Sequence, residues 1–254
     1  MPQPNKEKWL HISQGFQENS DFPHCIGVVD GKHICIVKPL HSGSLYYNYK
    51  SYSSIQLLAI CDANYCFIYV DIGDFGKNND SSIHNNSVFN RKLRAGSLDI
   101  PDATFLPGKS DMKMPFVLVG DEAFAMTNAM LRPYDGKNLC ENKRVFNYRL
   151  SRARRFIECS FGILTNKWRI FHRPLNVNID MVVDIVKACI VLHNFVRVRD
   201  GYSHQDTLSY TGLLDNDEVT TGFSGGTGPT MIREYFTRYF VKEGKLPWQL
   251  PMTT

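Results

Sequence analysis

Short apolar runs bounded by turn-forming residues dominate the first half of the chain, a pattern typical of β-strands. Such runs occupy Cys25–Val37, Gln56–Cys61 and Tyr65–Val70, and the last two are separated only by the turn residues 62–64. A fourth run, Phe116–Val119, follows a long polar stretch. The pattern predicts three consecutive antiparallel strands and one later strand.

Helical periodicity dominates the second half of the chain. Residues Asn147–Leu164 are predicted to form a helix, because their apolar positions recur every three or four residues. That apolar stripe consists of Leu150, Ala153, Ile157, Phe161 and Leu164. Ala123–Leu131 has a helical composition, and Ile179–Val198 is apolar on nearly all sides, which predicts a helix buried in the core. The order of elements predicts an α/β fold of the ribonuclease-H-like type, a mixed sheet flanked by helices.

The two ends of the chain differ in composition from its centre. Residues 1–21 are polar, and we expect them to be a lead-in from a truncated N-terminal region, with the ordered core beginning near Phe22. Residues 22–200 are expected to form one domain. After them, the chain is rich in Gly, Asp and Thr up to Pro229 and lacks periodicity, which predicts a flexible C-terminal tail over residues 201–254.

Length and composition exclude several classes of protein. A chain of 254 residues with 43% hydrophobic residues can bury one sizeable core. No apolar run reaches the roughly 18 residues of a membrane span, and no signal peptide is recognisable, so we expect a soluble chain without a membrane role. The seven cysteines include no CxxC pair, which argues against a disulfide framework or a zinc site and favours a reducing compartment.

Positive charge is concentrated in one part of the chain. The net charge is only +4, yet the stretch from Lys143 to Arg173 holds nine Lys or Arg and a single acid, Glu158. Such a local basic surface suits a polyanion such as nucleic acid, whose counterions are released on binding. The alternative is an ordinary solvated, arginine-rich helix face.

Three acids stand in unexpected places. Asp30 and Asp121 each follow a short buried-type strand, and Glu158 lies at the edge of an apolar helical stripe. In the predicted fold, acids on the first and fourth strands and on a late helix converge. Carboxylate oxygens are the ligands that Mg²⁺ and Mn²⁺ prefer, and two such ions roughly 3.5–4 Å apart promote phosphodiester cleavage. A fourth acid, Asp80, in a polar loop after the third strand, is a further candidate ligand.

Each acid has an alternative structural role. Asp30 precedes a glycine and can occupy a turn, and Asp80 beside Ser and Asn can do the same. Asp121 can cap a following helix. Glu158 lies one helical turn after Arg154, so a surface ion pair is its ordinary role.

Several long motifs in fixed order resemble one family. They are Phe22–Ile34 around Asp30, Val119–Phe124 around Asp121, Phe146–Leu164 around Glu158, and Leu192–Phe195 in the last predicted helix. Together they resemble the PIF/Harbinger group of DDE transposases and their domesticated descendants, the Harbinger transposase-derived nucleases and the plant ALP1-like proteins.

The resemblance implies a DDE nuclease core with Asp30, Asp121 and Glu158 as the catalytic triad and these acids plus Asp80 as ligands of Mg²⁺ or Mn²⁺. Phosphate contacts are expected from Lys32, Arg149, Arg152, Arg154 and Arg155. The helix-turn-helix region that such transposases usually carry before this core is missing, so DNA binding and nuclear import are expected to depend on a Myb-like partner. The expected compartment is the nucleus, with the cytoplasm as a second location. The alternative function is a domesticated, non-catalytic chromatin-associated or adaptor protein that keeps the fold.

Overall fold

A five-stranded mixed β-sheet forms the centre of the protein, and helices pack against it. The computed structural model describes residues 1–201, 227–247 and 249. The strands are β1 (Cys25–Cys35), β2 (Ser54–Cys61), β3 (Phe67–Phe75), β4 (Thr104–Phe105), β5 (Lys113–Met114), β6 (Val117–Val119) and β7 (Met130–Leu131). The α-helices are α1 (Lys6–Ser20), α2 (Asp80–Asn86), α3 (Val88–Arg94), α4 (Glu141–Lys167), α5 (Ile179–Asp200) and α6 (Thr227–Val241), and a short 3₁₀ helix spans Arg169–His172.

The strands of the main sheet lie in the order β3-β2-β1-β6-β7. β1 pairs with β2 and β2 with β3 in antiparallel fashion, whereas β6 runs parallel to both β1 and β7. The predicted three antiparallel strands and the later fourth strand are therefore confirmed. Every residue of β2 is buried, because this strand has a hydrogen-bonded neighbour on each side and helix α4 packs against it. The short strands β4 and β5 form a separate hairpin.

Helix α4 confirms the periodicity argument, although it is longer than expected. It spans 27 residues, and all five residues of the predicted apolar stripe are buried. It contacts both β1 and β2. By contrast, the helix predicted over Ala123–Leu131 is wrong. This segment forms turns, and its last two residues pair with β6 as strand β7, because sheet pairing outweighs local helix propensity.

The N-terminal segment is more than a lead-in, which corrects the expected core boundary at Phe22. Within α1, Trp9, Ile12 and Phe16 recur at helical spacing and are almost completely buried. The polar composition of residues 1–21 obscured this apolar stripe. The helix is capped by Asn5, whose side chain accepts a hydrogen bond from the Lys8 amide N–H at 2.8 Å.

The predicted flexible tail over residues 201–254 is also wrong in part. Helix α6 packs along α4 and buries Phe236 and Phe240 completely. Phe240 meets the Phe22 ring at 5.1 Å between ring centroids. Residues 202–226, 248 and 250–254, which belong to the same prediction, lie outside the described residues.

Helix α5 departs from its prediction as well. It was expected to be buried all round, but only one of its sides, with Val182, Val186 and Ile190, enters the core, while apolar residues such as Phe195 are exposed. Among the residues that the structure describes, no helix is both long and apolar enough to cross a membrane.

Candidate active site

Asp30 and Asp121 reach the same end of the sheet through strand register. Val28 of β1 lies opposite Val119 of β6 in parallel pairing, and each aspartate follows its valine by two residues. Neighbouring strands in a sheet lie about 4.8 Å apart. Asp121 lies just beyond the end of β6, and its carboxylate is close enough to Asp30 to raise the pKa of that residue. Parallel pairing thus brings together two acids that are far apart in sequence.

The turn and cap alternatives for these two residues do not hold. Asp30 lies inside β1 opposite Ala59, and the strand continues beyond it to Cys35. Asp121 precedes no helix; its Oδ1 accepts a hydrogen bond from the Ala123 amide N–H at 2.9 Å, as in an Asx turn. A turn therefore does not explain Asp30, and a helix N-terminus does not explain Asp121.

Asp80 joins the pair from the start of α2. The structure corrects its predicted loop position, since Asp80 is the first residue of that helix and Asn79 is the cap. A Cβ atom added to Gly31 would lie only 2.0 Å from Asp80 Oδ1. The Asp80 carboxylate therefore lies directly against the backbone of β1, beside Asp30.

These acids interact electrostatically. Burial, followed by the neighbouring carboxylate of Asp121, raises the pKa of Asp30 well above its ordinary value, and Asp80 adds to the effect. The guanidinium of Arg154 opposes it. Asp121 and Asp80 thus act on the pKa of Asp30 in one direction and Arg154 in the other, which shows that these charged side chains lie close to one another.

Glu158 lies on α4 and is tied to the cluster through Arg154. The Arg154 Nη2 and Glu158 Oε1 atoms are 3.7 Å apart, so the expected helix-surface ion pair is present. The Glu158 side chain is about half exposed, with a relative exposure of 49%, whereas that of Arg154 is 22%. Arg154 thus interacts with both the strand acid Asp30 and the helix acid Glu158.

The residues present suit a hard divalent cation in their chemistry. The side chains of Asp30, Asp80, Asp121 and Glu158 offer only oxygen ligands. Burial raises the pKa of Asp30, and the neighbouring carboxylates of Asp121 and Asp80 raise it further. Within the described ranges, no group of three or more His, Cys, Asp or Glu side chains is already arranged as a ligand set. Their suitability lies in the kind of donor atom that these four acids provide.

The basic residues predicted to contact DNA fall into different environments. The predicted DNA contact of Arg149 is wrong, because this residue is only 2% exposed. It donates hydrogen bonds to the Asp21 carbonyl and to Gln249 Oε1, the latter at 3.1 Å. Its guanidinium also stacks on Phe240, and burial lowers its pKa to about 10. Arg149 therefore stabilises the fold and is inaccessible to DNA.

The other predicted contacts remain at least partly accessible. Arg155 is exposed. Arg152 forms a 3.1 Å ion pair with Asp21. The Lys32 Nζ atom lies 5.7 Å from the centroid of the Phe161 ring. Of the basic residues of α4 that were predicted to contact phosphate, Arg155 is thus the most accessible.

Gly31 is the site residue that the sequence reasoning missed. The sequence allows either a strand or a turn at Asp30 and Gly31, and the structure places Gly31 in a regular strand, where it allows the close approach of Asp80. An isolated glycine inside a strand pattern is the signal that could have identified it, because such a residue often marks a close approach to the backbone.

We expect the Gly31→Ala substitution to weaken binding of Mn²⁺ by roughly 10–100-fold, the usual cost of disturbing residues that orient metal ligands. The new methyl group would displace the Asp80 carboxylate. Calorimetric titration of the variant measures the effect. The control is Asp80→Ala, alone and combined with Gly31→Ala. If Gly31 acts through Asp80, the combined variant binds no more weakly than Asp80→Ala, whereas additive losses would contradict this explanation.

Comparison with known proteins identifies the family of this chain. A family profile described as DDE superfamily endonuclease matches residues 29–194, which include all four acids. "Protein ALP1-like" of Arabidopsis thaliana is 27% identical over 188 residues, covering 73% of this chain and 46% of its own length. "Putative nuclease HARBI1" of Bos taurus is 25% identical over 188 residues, covering 72% of this chain and 49% of its own.

The chain spans about half the length of the curated relatives it matches. No solved structure matches it. The family match nevertheless extends over more than half of the chain, from β1 to the last turns of α5. This protein therefore belongs to the DDE superfamily endonuclease family, within its Harbinger-derived group.

Proposed function

We propose that this protein is a divalent-metal-dependent DNA endonuclease that derives from a transposase and cleaves phosphodiester bonds through Asp30, Asp121 and Glu158. The observation that carries the proposal is the parallel register of β1 and β6, which sets Asp30 and Asp121 side by side. The Asp80 carboxylate against Gly31 supports it. The strand order, with β1 antiparallel to β2 and parallel to β6, supports a ribonuclease-H-like core.

Each acid has a distinct role in this proposal. Asp30 would serve both ions, Asp121 would hold the ion near the attacking group, and Glu158, with Asp80 as an auxiliary ligand, would hold the other. When bound, Mg²⁺ or Mn²⁺ supplies positive charge that favours deprotonation of the attacking water or 3′-hydroxyl and stabilises the leaving oxygen. Arg154, which already balances part of the negative charge of Asp30, is suited to contact the phosphate as well.

The test is a calorimetric titration with Mn²⁺ and Mg²⁺, followed by cleavage of labelled duplex DNA. We expect the wild type to bind the ions and cleave the DNA. The Glu158→Gln variant should cleave at least about 100-fold more slowly, because removal of a metal ligand costs several kcal/mol of transition-state stabilisation. Glu141→Gln, the same change at an exposed position of α4, is the control and should behave as the wild type. A folded wild type that binds neither ion would contradict the proposal and favour the non-catalytic adaptor function.

DNA binding is proposed to involve Arg155, with further phosphate contacts from Arg152 and Lys32. We expect Arg155→Ala to reduce the slope of log K against log [salt] by about 0.9, the value for one lost phosphate contact on duplex DNA. Fluorescence anisotropy at several salt concentrations measures this slope. Arg238→Ala, which removes an exposed arginine from α6, is the matched control. Equal slopes for both variants would show that Arg155 faces away from the DNA. The Myb-like partner and the nuclear location stay predictions of the resemblance.

A further inference from the structure

The outward side of α5 carries large apolar residues that the fold leaves exposed. Val191 is 58% exposed, Phe195 59% and Val198 80%. Met181 and Leu192 are also exposed. A run of such residues along one helix, in place of single scattered ones, is typical of an interaction surface.

The motif Leu192–Phe195 separates into an inner and an outer pair. The His193 ring is hydrogen-bonded to the Tyr65 carbonyl oxygen at 2.7 Å. The Asn194 side chain bonds both the amide and the carbonyl of Phe67, at 2.8 and 2.7 Å. These two residues fasten α5 to the sheet. Leu192 and Phe195 point the other way, so the packing within the described protein does not explain them.

The exposed residues follow the spacing of a helix–helix seam. Five positions on the outer side of α5 are separated alternately by four and three residues. They are Asp184, Ala188, Val191, Phe195 and Val198. All of these residues are exposed. A repeat with an average of 3.5 residues keeps one stripe of a helix facing a partner helix. The outer side of α5 thus has the pattern of a helix that packs against another helix.

The outer side of α5, which also includes the exposed Leu192 and Arg199, is complementary to itself when two copies run antiparallel. Ala188 and Phe195 lie equally far from the point midway between Val191 and Leu192, and so do Asp184 and Arg199. A two-fold axis at that point would set Phe195 opposite the partner's Ala188, a large side chain against a small one. It would also set Asp184 opposite the partner's Arg199, an acid against a base.

We propose that α5 packs antiparallel against α5 of a second copy and forms a two-fold symmetric dimer. Both size and charge are matched by one symmetry operation, as a symmetric interface requires. The present ion pairs of these charges, Asp184 with Lys187 at 3.4 Å and Arg199 with Asp200, are exposed, so exchanging them for contacts across the interface costs little. The antiparallel arrangement also sets opposite ends of the two helix dipoles side by side.

The test is the molar mass of the chain in solution, measured by sedimentation equilibrium over a range of concentrations. We expect a dimer for the wild type, and for Ala188→Arg a dissociation constant raised at least about tenfold, because the bulky cation fills the space of the partner's Phe195. Ala103→Arg, the same change at an exposed loop position, should leave the dimer intact. Circular dichroism and thermal unfolding check that each variant is folded.

Charge reversal provides a second test of the dimer that does not depend on Ala188. Asp184→Arg and Arg199→Asp should each weaken the dimer, since each sets like charges opposite one another twice in the symmetric pair. The double variant should recover it. A monomeric wild type would mean that something other than a second copy covers this face and would overturn the proposal. A dimer insensitive to Ala188→Arg and to both charge reversals would assign dimerisation to another surface and would equally overturn it.

Discussion

The Asp30→Asn variant is expected to lose DNA cleavage by at least about 10³-fold, equivalent to about 4 kcal/mol of transition-state stabilisation. In the proposed mechanism, Asp30 would serve both ions, so its loss would affect activation of the attacking group and stabilisation of the leaving oxygen together. Asparagine keeps the shape of the side chain and removes its charge. The measurement is single-turnover cleavage of labelled duplex DNA at saturating Mn²⁺.

The same substitution should stabilise the folded protein when no divalent ion is present. In the wild type, burial and the carboxylates of Asp121 and Asp80 raise the pKa of Asp30. Removing this charge relieves the repulsion, and we expect a gain of about 0.5–2 kcal/mol in the free energy of unfolding at neutral pH. Loss of activity combined with a gain in stability distinguishes a functional carboxylate from a structural one.

The pH dependence of stability follows from the direction of this shift. Between the ordinary carboxyl pKa and the raised pKa of Asp30, the folded protein holds a proton that the unfolded chain has lost. The wild type should therefore lose stability as the pH rises through that interval, and the full loss is reached above the raised pKa. Asp30→Asn should show a flatter curve. Denaturant titrations in the presence of a chelator, at several pH values, measure both curves.

Asp102→Asn is the matched control for these experiments. Asp102 is an almost fully exposed acid whose carboxylate pairs with Lys6 at 2.9 Å, and this hydrogen bond lowers its pKa. Its replacement should leave cleavage unchanged and should not remove the loss of stability with rising pH. If Asp30→Asn kept wild-type cleavage, the assignment of Asp30 to catalysis would be wrong. If it lost activity and stability together, Asp30 would be a structural residue.

Replacing Phe240 with alanine should lower the free energy of unfolding by about 3–5 kcal/mol, the usual cost of removing a buried aromatic side chain. Phe240 is completely buried in α6, and its ring contacts Phe22 and Phe146. The Arg149 guanidinium lies 4.6 Å from its centroid and would lose this stacking partner. The substitution therefore affects both the apolar core and a buried cation.

Urea denaturation with linear extrapolation measures this effect. Met231→Ala, on the exposed side of the same helix, should change stability by no more than about 0.5 kcal/mol. A small and equal effect of both substitutions would mean that α6 contributes nothing to the core, as a flexible C-terminal tail would. A large difference between them would establish α6 as an integral part of the domain.

Local patterns in the sequence determined the elements that carry the candidate site. The apolar runs that end at Asp30 and Asp121 correspond to β1 and β6, and the helical stripe around Glu158 corresponds to α4. These features were predictable because strand and helix periodicity depend on neighbouring residues. The fixed order of the motifs also indicated the family, and the comparison with known proteins confirms it.

Only the tertiary structure decided which residues meet. The contact of Asp80 with Gly31, the burial of Arg149 beneath α6, and the packing of α1 and α6 into the core depend on contacts between distant segments. The outward face of α5 is a further case, since an apolar helix looks the same in sequence whether its second side meets its own core or another chain. Periodicity specifies how side chains are arranged around an element, whereas the contacts of each side are fixed only when the chain folds.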